Sequence, residues 1–140
     1  MIDLSEVRTQ LATVAALRRV AGAAEFQAAA NAHPLAGPAA YVMLLGESPG
    51  ASPLANAMLQ RVEVSIGIAL AVRNVADSTG AAAGDALDDL RAAMTAALLG
   101  WTPTDAEPLY RGQGQLLAFK DGWLWWQDIW HTAYYERSVL

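Results

Sequence analysis

The amino-acid sequence predicts one domain that combines helices with strands, and three observations carry that prediction. In residues 62–73 the even positions Val62, Val64, Ile66, Ile68, Leu70 and Val72 are large and apolar, while the odd ones are small or polar. Such strict alternation marks a long strand with one face in a core. Leu87, Leu90, Met94 and Leu98 recur at helical spacing ahead of Gly100, which predicts an amphipathic helix closed by a left-handed glycine. Asp121-Gly122 then separates two apolar runs, residues 116–119 and 123–126, and both residues tolerate the positive φ that a tight hairpin needs. A length of 140 residues suits a single domain able to bury its own core.

The remaining elements follow in order. Asp3 and Glu6 read as a capping box, so a helix is expected to start there, with Leu4, Val7, Leu11, Val14 and Leu17 on its buried stripe and Gly22 at its end. Residues 23–32 form a short second helix stopped at His33-Pro34. Residues 38–45 have the length and side chains of a strand, and residues 46–60 read as a long loop rich in Pro, Gly and Ser. The small odd face of the long strand points to a cover, with another subunit as the suggested one. A second loop over residues 74–84 leads to Asp85 as helix cap, and residues 102–115 read as irregular. After the hairpin, residues 129–136 form a further strand. Four of the five tryptophans fall in residues 123–130, with Trp123 and Trp125 on one face and Leu124, Trp126 and Trp130 on the other.

Composition excludes several functions. With no cysteine there is neither a disulfide framework nor a thiolate nucleophile or metal ligand. The amino-terminal residues lack the basic stretch and apolar run of a secretory signal, so no export is expected. The longest apolar run, residues 66–72, falls far short of the ~20 residues of a membrane-spanning helix. Fourteen acidic against nine basic side chains give a net charge of −5 without any Lys or Arg cluster, so no specific nucleic-acid binding is expected.

No catalytic, cofactor or metal residues are assigned. His33 precedes a proline, and Asp128 lies three residues before His131, which on a strand sets the two side chains on opposite faces. Asp85, Asp88 and Asp89 suit the start of a helix and do not follow a calcium-loop ladder. Gly112-Gln113-Gly114 lacks the third glycine of a dinucleotide fingerprint and reads as turn glycines. An exposed aromatic platform for a small ligand or peptide is the competing use of the tryptophans. Its indoles would lack the surrounding cations that stacking proteins provide.

The segment from Asp85 to Arg137 has a recognisable order. Ala97-Leu98-Leu99-Gly100-Trp101-Thr102-Pro103 is followed by Leu109, Gly112 and Gly114, and then by Leu124-Trp125-Trp126-Gln127-Asp128-Ile129-Trp130-His131-Thr132. Upstream stand Val20-Ala21-Gly22-Ala23-Ala24, Pro38-Ala39-Ala40-Tyr41-Val42 and Gln60-Arg61-Val62. This resembles the tail terminator proteins of long-tailed bacteriophages and prophages over nearly the whole chain. Two departures, Gln113 between the glycines and Trp130 in place of a phenylalanine, concern local packing only.

The resemblance implies a single α+β domain with a mixed or antiparallel sheet of about four to five strands flanked by two main helices. It also implies a homo-oligomeric ring, commonly six-fold, with no cofactor. Such a ring sits on the head-proximal end of the tail tube, ends its polymerisation and meets the head-tail connector or neck. The protein is then expected in the virion tail, assembled in the bacterial host cytoplasm. A related neck or tail-tube subunit is the alternative. Ring closure requires two different patches per subunit, of ~800 Å² each. Arg61, Glu63, Ser65, Arg73, Glu136 and Arg137 are the expected subunit contacts, and Glu47, Asp77, Asp105 and Arg111, all in expected loops, are the tube- or channel-facing candidates. Six copies of −5 bring −30 formal charges, which would repel DNA passing through a channel.

Overall fold

A computed structural model describes residues 1–73 and 81–139. Its elements are α1 (Leu4–Leu11), β1 (Arg19–Ala21), α2 (Ala23–Asn31), β2 (Ala39–Pro49), β3 (Ala57–Arg73), α3 (Ala81–Leu98), β4 (Tyr110–Lys120) and β5 (Trp123–Val139). The five strands form one mixed sheet in the order β1-β2-β3-β5-β4. β1 runs parallel to β2, and every other pairing is antiparallel. The α+β class expected from the sequence is the one observed.

β3 and β5 are the spine of the sheet, paired without interruption from Ala57↔Val139 to Arg73↔Trp123. All six large even residues of β3 are buried. They meet Val7 and Leu11 of α1, Leu90, Met94 and Leu98 of α3, and Trp130 in one apolar cluster. On the opposite face, Ala69 and Ala71 of β3, Ala39 and Tyr41 of β2 and Trp123 and Trp125 of β5 form a second cluster against α2. The alternation of β5 therefore places the tryptophans as the sequence predicts. Asp121 and Gly122 link β4 to β5 with φ of 53° and 79°, the positive values of a two-residue hairpin turn.

Several boundaries differ from expectation. α1 stops at Leu11, yet Val14 stays buried and Leu17 packs on the same cluster from the turns that follow. Asp3 caps α1 by accepting from the Ser5 amide at 2.9 Å. The Glu6 carboxylate instead accepts from the Thr104 amide at 2.9 Å, so a tertiary contact replaces the capping box. The reciprocal contact appears at α2, where Glu25 accepts from the Gly22 amide at 3.1 Å. β1 was not foreseen; three residues carry no period, and only the parallel partner β2 defines them.

The expected loop over residues 46–60 shrinks to residues 50–56, because β2 runs on to Pro49 and β3 begins at Ala57. Asp85 is not a cap: α3 spans Ala81–Leu98 and contains it. Asp77 and most of the second expected loop lie outside the described residues. Residues 110–115, read as irregular, belong to β4, and the hairpin's second strand continues without a break through residues 129–136.

Candidate assembly surfaces

The odd face of β3 divides in the middle. Gly67, Ala69 and Ala71 are covered by this chain itself, which corrects the expectation that another subunit covers them. A β-carbon at Gly67 would meet the Leu45 side chain at 2.9 Å. Phe26 of α2 packs edge-on against Tyr41 and Trp125, with ring centroids 5.9 and 5.8 Å away. Small residues thus mark a close intramolecular approach. Arg61, Glu63 and Ser65 continue the same face beyond α2 and stay at least partly open.

All three residues make side-chain contacts within the subunit. The Arg61 guanidinium grips both Glu107 carboxylate oxygens at 2.8 and 2.7 Å and reaches Glu63 at 2.8 Å. Hydrogen bonds from Arg61 hold the Glu107 carboxyl below the usual carboxylate range. Glu107 in turn anchors its segment along β5, its amide donating to the Ala133 carbonyl at 2.8 Å while its own carbonyl accepts from Thr132 at 2.6 Å. Ser65 Oγ lies 3.2 Å from His131 Nδ1, and the Tyr110 ring sits 5.2 Å from the imidazole.

His131 and Asp128 do face opposite sides of β5. Asp128, only 2% exposed, receives two bonds of 2.9 Å from Arg91 of α3 and a third of 3.0 Å from Trp126 Nε1. Arg91 also stacks over the Trp126 ring at 4.7 Å. Asp128 is therefore a clasp between helix and sheet, and it does not orient His131 as a base would require. Sequence reasoning missed Arg91 and Glu107. For Arg91 the signal was present: it falls four residues after Leu87 and three before Met94, on the buried stripe, where a guanidinium needs a partner.

Gly112 and Gly114 are strand residues and not turn glycines. A β-carbon would come within 2.5 Å of His131 Nε2 at Gly112 and within 2.5 Å of Asp128 Oδ1 at Gly114. They let β4 lie against side chains that rise from β5. One register irregularity falls within this stretch, between Arg111 and Gly114, and a second between Leu116 and Ala118.

Both sides of the sheet end in open strand edges among the described residues. On one side all eleven residues of β4 are exposed, including Tyr110, Leu116 at 57% and Phe119 at 49%. On the other, β1 pairs only with residues 39–41 of β2, so residues 43–49 have no strand outside them. Leu44 and Leu45 are exposed there. Glu47 belongs to this strand, not to a loop, and Arg111 belongs to β4, where its guanidinium donates to Thr95 Oγ1 at 3.3 Å.

The Tyr134 hydroxyl sits 3.2 Å from Glu47 and 3.3 Å from Glu136, its proton shared between two carboxylates. Burial and these neighbours push the phenol up to about 12. Arg137 is exposed on β5, and Arg73 lies over the Trp123 ring at 5.8 Å, at the far end of β3. Asp105 is the one channel candidate that the structure leaves in a loop among the described residues, in a left-handed conformation at φ 55°.

This chain matches the family model described as phage tail terminator protein over residues 1–138. It belongs to the phage tail terminator family. No curated protein matches it. Membership gives the terminator chain a structural role in the phage tail. Among the described residues no helix is long and apolar enough to cross a membrane, and no group of His, Asp and Glu could hold a metal ion.

Proposed function

We propose that this chain caps the head-proximal end of a phage tail tube as a homo-oligomeric ring of six copies, ends tube polymerisation and offers its outer face to the neck or head-tail connector. The observation that carries the reading is the family match over residues 1–138. The open strand edges and the uncovered end of the β3 odd face support it, since a ring subunit needs surface left over for two different neighbours. The role requires no chemistry at His131. The acidic surface suits a channel through which DNA slides without being held. Assembly takes place in the bacterial cytoplasm, and the protein ends up in the virion tail.

Glu63, Ser65 and Arg137 border the uncovered face and are the proposed contacts with adjoining rings or subunits, Glu136 is a proposed contact from the opposite face beside Tyr134, and Arg61 supports the first three through its clasp on Glu107. Asp105 is the proposed loop contact to the tube or channel. The test adds purified protein to tubes grown without a terminator and images their ends. Capped tubes of stable length support the reading. Continued growth opposes it, and incorporation of the protein along the tube identifies a tube subunit instead.

A further inference from the structure

We propose that neighbouring copies join edge to edge, β4 of one subunit seating against residues 43–49 of β2 in the next, so that the sheet continues around the ring. This inference rests on the ring reading and specifies its interface. An exposed apolar edge strand invites pairing with another chain unless charge or cover blunts it. β4 exposes Tyr110, Leu116 and Phe119 beside an unpaired edge, and the β2 edge exposes Leu44 and Leu45. The two edges lie on opposite sides of one sheet, which is the head-to-tail arrangement that closes rings.

Charge selects this pairing over the alternative of two β4 edges. The only charges on β4 are Arg111 and Lys120, and the only charge on the open β2 edge is Glu47. Two antiparallel β4 edges centred between Gln115 and Leu116 would set Arg111 against Lys120 of the second copy, a like-charge pair that opposes association. β4 against β2 sets a cation toward an anion. Both belong to the face that carries α3, because Arg111 reaches Thr95 of that helix, and Glu47 reaches Tyr134, which packs in the cluster of α3.

Strand directions agree as well. β4 is three antiparallel steps from β2, so copies turned about an axis along the strands meet antiparallel. Through Trp130 and Ile66, Arg111 stands level with Leu44 across the sheet. Because β2 bulges at Leu45, Glu47 pairs with Val64, two residues from Ile66, so a stagger of two residues, ~7 Å, brings Arg111 level with Glu47 of the neighbour and sets residues 110–114 against residues 43–48; closure of a sheet into a ring requires strand tilt and stagger. The register irregularities in both edges limit backbone pairing to short runs, so side chains supply most of the contact.

The test is charge exchange, read by sedimentation in the presence of tube ends and checked for folding by circular dichroism. R111E and E47R should each shift the protein from ring to monomer with an unchanged spectrum, and the double variant should restore the ring. As a second measurement, cysteines at Leu44 and Gln113, which this register sets beside each other and which are both exposed, are introduced into this cysteine-free chain and bridged by a short bis-maleimide. A ladder of species beyond the dimer is expected. Dimers alone, or rings that tolerate both single reversals, overturn the edge pairing and leave the ring reading standing. A parent protein that stays monomeric with tube ends present overturns both.

Discussion

β4 and β5 are joined by two residues and both carry large apolar side chains, yet their surroundings are opposite. β5 buries Trp123, Trp125 and Trp130, whereas β4 exposes all of its residues. Hydrophobicity does not separate them; position in the sheet does. β5 lies between β3 and β4 with α2 over one face and α3 over the other, while β4 is the last strand and no described helix covers it. The same kind of side chain is core in one strand and surface for a partner in the other.

Substitutions should sharpen that contrast. Trp125→Ala removes the ring that Phe26 and Tyr41 pack against, and a loss of about 3 to 5 kcal/mol is expected in denaturant unfolding. An unaltered unfolding midpoint would place that indole outside the core. Arg91→Ala leaves the Asp128 carboxylate buried without its ion pair, and about 3 kcal/mol should be lost. D128A in the R91A background should then cost less than in the parent, which a double-mutant cycle measures. Independent, additive losses would mean that the clasp does not form.

A pH series addresses the edge of the core at β2. The folded-state pKa of Tyr134 lies above the value of about 10 expected for the unfolded chain, so its contribution is complete below that pH. It is lost as pH rises toward about 12. Tyr134→Phe should flatten the decline of stability across this window, and a decline of equal slope in the variant would assign it elsewhere. The smallest effect belongs to β4: Leu116→Ala should change subunit stability by less than about 0.5 kcal/mol. A cost comparable to that at Trp125 would erase the distinction between the strands.

Much of this was legible in residue patterns. β3 was read from its alternation, α3 from its stripe and the hairpin from Asp121-Gly122, each an element whose local period agrees with its tertiary setting. β4 was half missed because an edge strand with two exposed faces has no reason to alternate, and its glycines imitate a loop. Glu47 and Arg111 were placed in loops for the same reason. The small residues Gly67, Ala69 and Ala71 correctly signalled a covered face, but side-chain size reports only that something approaches closely. Whether the cover is a second copy or this chain's own Leu45 and α2 depends on long-range contacts that no local pattern encodes.

Amide hydrogen exchange of β4, compared between the free subunit and tube-bound rings, tests most directly whether this strand is an unfilled assembly edge. The account predicts rapid exchange at the outward amides of residues 110–114 in the free subunit and protection of these amides after assembly, with the β5 amides protected in both states. Equal protection of β4 before and after assembly would contradict it.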